Sequence, residues 1–201
     1  MRTCSDLYGA CRPHHDDDAE RPAGPARPTA PRPTPPLPDG ERGELPRALA
    51  EQRELLLITV RGIDDEQAAR RSTVSELTLG GIVKHLASGH QVRTQMMVRA
   101  DGALPDGMLD MDQYRMADGD ARTGLVEQYA AAARATEEAV AALPDLDRMV
   151  PLPRTPWSPP ETVHWPVRRV LLHLLRETAH HAGHADIVRE ALDGADTTAQ
   201  R

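Results

Sequence analysis

Apolar residues recur at helical spacing in four long segments of this chain, and stretches rich in polar residues, glycine or proline separate them. An Ala-rich run in the third segment favours helix by intrinsic propensity, and almost no segment shows the alternation typical of a strand. The pattern therefore predicts an all-α protein, a four-helix bundle with long connections. The predicted helices span about residues 44–62, 78–100, 122–143 and 166–192.

Residues with known effects on helix ends set several of these predicted boundaries. Ser75 or Thr78 is placed to cap the second helix, and Pro144 ends the third because it cannot continue a helix. Pro166 suits the first turn of the fourth helix, and Gly194 stops that helix. The helix ends are thus predicted from residue type as well as from periodicity.

Two of the predicted connections are long. Residues 101–121 are acidic, contain methionine and carry turn signals, so they are predicted to form a loop. Residues 144–166 hold seven of the eighteen prolines and both tryptophans, which predicts an irregular but ordered crossover loop. A connection of this length permits a topology other than simple up-down-up-down.

The N-terminal segment differs in composition from the rest of the chain. Residues 1–40 repeat proline too often for helix or sheet, so we predict a disordered, Pro-rich tail. Both cysteines, Cys4 and Cys11, lie in it and provide no disulfide framework for the core. The remaining length suits one domain, predicted over residues 41–195, followed by a short tail at 196–201.

Charge and hydropathy exclude several classes of partner. A net charge of −7 disfavours duplex nucleic acid, which requires a clustered positive surface. No stretch approaches the roughly 20 apolar residues of a membrane span, and the start of the chain lacks the layout of a secretory signal. We therefore expect no nucleic acid and no membrane as partner, and a cytoplasmic location.

The densest chemistry of the chain is the run from Glu177 to His184, which holds one carboxylate and three imidazoles in the fourth predicted helix. Glu177 and His181 are four residues apart, so they lie about 40° apart on one helix face and can reach the same metal ion. A third ligand must come from another helix, and His85, set in an apolar stretch of the second helix, is the candidate. The hypothesis is a divalent transition metal held by His85, Glu177 and His181.

Two simpler interpretations compete with this metal site. A polar helix face is ordinarily exposed to solvent, and a single histidine on an apolar face is ordinarily a hydrogen-bonded core residue. Apolar residues of the fourth helix overlap the sector of its histidines, which favours burial of the imidazoles and a need for partners. These apolar residues are Val170, Leu174, Ala185 and Val188.

The other histidines receive different expectations. His173 and His184 share the sector of the proposed ligands, so they are predicted to orient those ligands or to contact substrate, and the alternative for each is a packed core histidine. His180 is predicted to be peripheral. His90 falls about 140° around the second helix from the proposed ligand and is predicted to face the surface or a loop. Gly183 is predicted to let another helix approach closely, because it lacks a side chain.

Other metal-dependent and catalytic classes fit the sequence less well. A ferritin-like di-iron bundle needs Glu-x-x-His on two helices; Glu177 and His180 form one such element, and none of the other three predicted helices carries a second. The chain also lacks the His-Glu-x-x-His of zinc proteases, a phosphate-binding Gly-rich loop and a Gly-x-Ser-x-Gly elbow. A mononuclear site is therefore favoured, and no residue is assigned as catalytic.

Two stretches of the sequence resemble the DinB superfamily. They are LLHLLRETAHHAGHADIVRE, residues 171–190, and LTLGGIVKHLA, residues 77–87. Within the superfamily, the chain is similar to actinobacterial DinB-like proteins related to mycothiol-dependent maleylpyruvate isomerase, over about residues 35–195. The resemblance implies a four-helix bundle of DinB type and a metal held by His85 and two positions of the fourth helix. Many DinB-like proteins use histidine at both of those positions, whereas Glu177 here resembles the isomerase branch.

The resemblance also implies a class of reaction. Zinc, with nickel as the alternative, would activate a low-molecular-weight thiol, mycothiol, against a small electrophile, as in a thiol S-transferase or isomerase. Three protein ligands leave the open position that catalytic zinc requires. The isomerase has a further C-terminal domain, which makes maleylpyruvate itself an unexpected substrate. The competing hypothesis is a non-catalytic bundle that binds metal for stability or serves as a stress-linked interaction module, and a homodimer is one possible assembly.

Overall fold

The computed structural model describes residues 39–198 and residue 200. The predicted tail over residues 1–40, with both cysteines, therefore lies almost entirely outside the described residues, as do positions 199 and 201. Four long helices and one short helix account for most of the described chain, which confirms the predicted all-α class. The helices are α1 (Glu41–Ile58), α2 (Asp65–Ala69), α3 (Leu79–Arg99), α4 (Arg122–Ala142) and α5 (Val167–Asp193).

Local capping interactions explain several of the observed helix ends. The Thr78 side chain accepts a hydrogen bond from the backbone N–H of Gly81 at 3.1 Å and so caps α3. Gly194 ends α5 with a left-handed backbone, at φ 78°, which glycine adopts without strain. The short α2 was not predicted, although Asp64 and Gln67 form a reciprocal capping box at its start.

The long helices pack as a bundle in which chain order and spatial order differ. α1 packs against α5 and α4, and α3 packs against α4 and α5. Although α1 and α3 follow one another among the long helices, they are not a principal packing pair, which agrees with a topology other than simple up-down-up-down. None of the helices in the described part of the chain is long and apolar enough to cross a membrane.

The interior consists of two apolar clusters with polar groups between them. One cluster joins the first half of α3 to α2, α4 and the second half of α5, and the other joins the second half of α3 to the first half of α5. His90, Thr136 and Thr178 lie between the two clusters along α3, α4 and α5, and all three are buried. A buried polar layer therefore crosses the middle of the bundle.

The connection between α4 and α5 contains a small antiparallel sheet that the hydrophobic pattern did not predict. Its strands are β1 (Met149–Pro151) and β2 (His164–Pro166), and Val150 pairs with Trp165. Three-residue strands are too short to show a periodic pattern, and prolines at their ends are tolerated because these strands have free edges. The hairpin places Trp165 beside α5, with its ring centroid 5.6 Å from that of His173.

The connection between α3 and α4 contains a 3-10 helix, Met111–Tyr114, that lies against the start of α3. Two glycines of α3 allow this contact. A Cβ at Gly81 would lie 2.4 Å from the carbonyl oxygen of Tyr114, and a Cβ at Gly80 would lie 2.1 Å from the sulfur of Met116. The predicted loop over residues 101–121 is therefore held against the helix that carries His85.

Candidate metal centre

The helix α3 corresponds to the second predicted helix, and its residue His85 lines a cleft. The His85 ring stacks on Tyr114, with ring centroids 4.7 Å apart, and its Nδ1 lies 3.3 Å from Oε1 of Gln113. Gln113 donates its amide N–H to the Asp110 carbonyl oxygen at 2.8 Å, which fixes Oε1 as the atom facing the histidine. His85 Nδ1 therefore carries the proton, and Nε2 is left with its lone pair.

The other two predicted ligands lie on one face of α5. His181 Nε2 lies 3.9 Å from Glu177 Oε2, and the His181 ring centroid lies 5.0 Å from that of His85. The ligand atoms of His85, Glu177 and His181 all lie within 4.8 Å of one another. The structure thus brings the three predicted residues together from two helices.

The donor set fits a divalent transition metal. Two ligand atoms at about 2.0–2.1 Å from a tetrahedral ion lie roughly 3.3 Å apart, so small side-chain rotations suffice to close the observed separations. Two imidazole nitrogens and one carboxylate oxygen suit zinc and its neighbours, whereas calcium and magnesium prefer oxygen. His181 Nδ1 is buried and has no hydrogen-bond partner among the described residues, so the protein itself satisfies this ring poorly.

The ionisation states of the three residues are those that a metal requires. Burial lowers the pKa of His85 and, together with the charge of His85, lowers the pKa of His181 to about 4. Burial alone would raise the pKa of Glu177, but its hydrogen bond with Arg176 and the nearby charges hold it below 4.5. At neutral pH the site therefore holds two neutral imidazoles and one carboxylate, which need no deprotonation before they bind metal.

The remaining α5 histidines occupy distinct positions. His173 is partly buried in the cleft, with Nδ1 3.8 Å from Glu177 Oε1. His184 is partly buried and contacts the ring of His181, with centroids 5.6 Å apart. His180 is exposed, as a peripheral residue should be. The supporting roles predicted for His173 and His184 stay predictions.

Two expectations about the helices are wrong. His90 is 1% exposed rather than surface-facing, and its Nδ1 lies 3.2 Å from the Thr136 hydroxyl. His90 does point away from His85, as the helical wheel predicts. Because α4 packs against that side of α3, His90 is nevertheless buried. Gly183 is exposed, and a Cβ there would point into open space, so no helix of the described residues approaches it closely.

A cleft with a volume of about 220 Å³ opens beside His85 and Glu177. His85 and Glu177 line it, together with three side chains that the sequence interpretation missed: Arg93, Gln113 and Tyr114. Arg93 lies eight residues after His85, about 80° around the helix, so the spacing could have revealed it. Gln113 and Tyr114 reach the site through the fold of a loop, and helical spacing carries no such information.

The profile of the mycothiol S-transferase family matches residues 44–194 of the chain. The chain belongs to this family. This membership confirms the resemblance to mycothiol-related DinB proteins that the motifs around His85 and Glu177 indicated. The matched range begins within α1 and ends at Gly194, so it includes all the helices that build the candidate metal centre.

A comparison of structures agrees on the fold. The crystal structure of a conserved protein from Enterococcus faecalis aligns with 79% of this chain and 100% of its own, at a TM-score of 0.57 and 15% sequence identity. At this identity the likeness concerns the fold alone. No curated protein sequence matches the chain.

Proposed function

We propose that this member of the mycothiol S-transferase family is a metal-dependent enzyme that transfers mycothiol to a small electrophile. The observation that carries the proposal is the convergence of His85, Glu177 and His181 within 4.8 Å beside a cleft. A bound divalent cation, zinc or alternatively nickel, would lower the pKa of the thiol and so supply a thiolate at neutral pH. Three protein ligands leave a coordination position for that sulfur.

The residues around the site hold and orient these ligands. Gln113 accepts the Nδ1 proton of His85, which keeps the Nε2 lone pair available. Arg176 donates to Glu177 at 2.7 Å and keeps it ionised. The cleft has room for the reacting ends of a thiol and an electrophile. The thiol would release its proton to solvent, and the new carbon–sulfur bond would form as the leaving group departs with its bonding pair.

Metal content tests the proposed ligands. The purified protein should contain about one equivalent of zinc or nickel, and Glu177→Ala and His181→Ala should lose most of it because two ligands cannot replace three. His180→Ala, which removes an exposed histidine of the same helix, is the matched control and should retain the metal. Unchanged metal content in both ligand variants would refute this site.

Activity separates the enzyme from the non-catalytic alternative. The metal-loaded protein, incubated with mycothiol and a chlorinated arene, should form the thioether faster than the metal-stripped protein does. Metal binding without any acceleration would favour a bundle that uses the metal for stability or interaction. The cytoplasmic location and the homodimeric assembly also stay predictions. Cell fractionation tests the first, and sedimentation of the purified protein tests the second.

A further inference from the structure

Arg93 carries a partly buried positive charge in the same cleft. It lies on α3 two turns after His85 and lines the cleft together with His173 and Glu177. Burial lowers the pKa of Arg93, and the charge of Glu177 opposes that effect. A guanidinium nevertheless stays protonated in proteins, so the cleft holds a fixed cation.

This guanidinium has few partners. It donates to the Met96 sulfur at 3.4 Å and approaches His173 Nε2 at 3.2 Å, and no carboxylate of the described residues lies within 4.0 Å of it. Arg53 and Arg189, two other arginines with little exposed side chain, each pair with a carboxylate. A guanidinium has five N–H donors, so Arg93 retains donors for a further acceptor.

The contact with His173 does not satisfy Arg93. Both ring nitrogens of His173 face guanidinium groups, because Arg176 lies 2.9 Å from Nδ1. An imidazole accepts at most one hydrogen bond, so His173 cannot accept from both guanidinium groups. Arg176 also has Glu177 as a partner, which leaves Arg93 as the group that lacks an oxygen acceptor.

Beyond Arg93 the cleft continues into a second, more apolar pocket. Arg93 and Met108 line both pockets, so they stand at the junction. The second pocket has a volume of about 240 Å³, and its lining includes both tryptophans, Trp157 and Trp165, with Met96 and prolines of the crossover connection. Aromatic and apolar walls suit the body of an aromatic ligand.

We propose that Arg93 is an anion-binding site, and that it selects electrophiles in which a carboxylate is attached to an apolar, aromatic body. The carboxylate would bind the free donors of the guanidinium, and the ring would lie between Arg93 and the metal ligands with its reactive carbon facing His85 and Glu177. Apolar substituents of larger electrophiles would extend toward Trp165. The assignment of this ligand as the electrophile rests on the proposed transferase function. Anion binding at Arg93 itself requires neither metal nor catalysis.

A matched pair of substrates tests the selectivity. The electrophiles 4-chloro-3-nitrobenzoate and 4-chloro-3-nitrobenzamide differ in charge but share the leaving group. In each reaction the thiol sulfur bonds the ring carbon that carries chlorine, chloride leaves with the bonding pair, and the thiol proton passes to buffer. Arg93→Gln should lower kcat/KM for the benzoate about tenfold to a hundredfold, as loss of a charge-assisted hydrogen bond predicts, and change the benzamide less than threefold. Arg93→Lys should recover part of the loss. Arg99→Gln, at the exposed end of the same helix, is the control.

A binding measurement keeps this proposal separate from the transferase function. Calorimetry on the metal-stripped protein should detect 4-nitrobenzoate but not 4-nitrobenzamide, and Arg93→Gln should weaken the benzoate at least tenfold. Three results would each overturn the anion site. They are an equal loss of kcat/KM for both electrophiles in Arg93→Gln, a KM raised for mycothiol and not for the benzoate, and no binding of 4-nitrobenzoate to the wild-type protein. Benzoate binding that depends on Arg93 in a protein without transferase activity would uphold the site and refute only the proposed function.

Discussion

The buried histidine of α3 should make the stability of this protein depend on pH. His90 is 1% exposed, and its Nδ1 faces the Thr136 hydroxyl, which itself donates to the Ala132 carbonyl oxygen. Nδ1 is therefore the protonated nitrogen, and Nε2 is buried with no partner among the described residues. Protonation of Nε2 would place an unpaired charge inside the bundle, and burial accordingly lowers the pKa of His90 to about 4.

The direction of the pH effect follows from this pKa. Between pH 6.5 and about 4 the unfolded chain binds a proton at His90 and the folded chain does not, so stability falls as the pH falls through that window. At pH 5 the loss from His90 amounts to about 2 kcal/mol, because each pKa unit corresponds to about 1.4 kcal/mol. At pH 7 most of the stability that neutral His90 contributes is present.

A variant isolates this contribution. Gln at position 90 can still donate an N–H to Thr136 but does not titrate. Urea unfolding of the metal-stripped proteins at pH 7, 6 and 5 should show that His90→Gln loses about 2 kcal/mol less than the wild type on acidification. His180→Gln, which replaces an exposed histidine, should behave as the wild type does. Parallel pH dependences of the wild type and His90→Gln would refute the reasoning.

Three further substitutions test the packing that positions the site. Gly81→Ala should destabilise the fold by about 1–3 kcal/mol in urea unfolding, because its Cβ would lie 2.4 Å from the Tyr114 carbonyl oxygen; Gly124→Ala, whose Cβ meets open space, should be neutral or stabilising. Leu56→Ala should cost about 2–5 kcal/mol in the same assay, since Leu56 is 0% exposed in the core; a cost under 1 kcal/mol would contradict the observed packing. Arg189→Met should lower the free energy of unfolding by about 1–3 kcal/mol, because it leaves two carbonyl oxygens of the turn after α1 without their donor. A midpoint of thermal unfolding equal to or above that of the wild type would contradict this prediction.

The sequence by itself determined the long helices and the candidate metal ligands. Apolar periodicity located four long helices, and the observed bounds of α3, α4 and α5 differ by about one residue from the expectation. The four-residue spacing of Glu177 and His181 fixes their common face, since a helix imposes this geometry locally. The choice of His85 as their partner depended on its apolar surroundings and on the resemblance, and the structure brings it within reach.

Only the tertiary structure decided what surrounds those ligands. His90 was expected at the surface because one helical wheel has one inward face, whereas α3 is covered on several sides by α2, α4 and α5. Gln113, Tyr114 and Trp165 reach the cleft from connections whose paths depend on packing against distant residues. Local periodicity carries no information about such contacts, so it placed the three candidate ligands but did not show that Arg93 stands between them and an aromatic pocket.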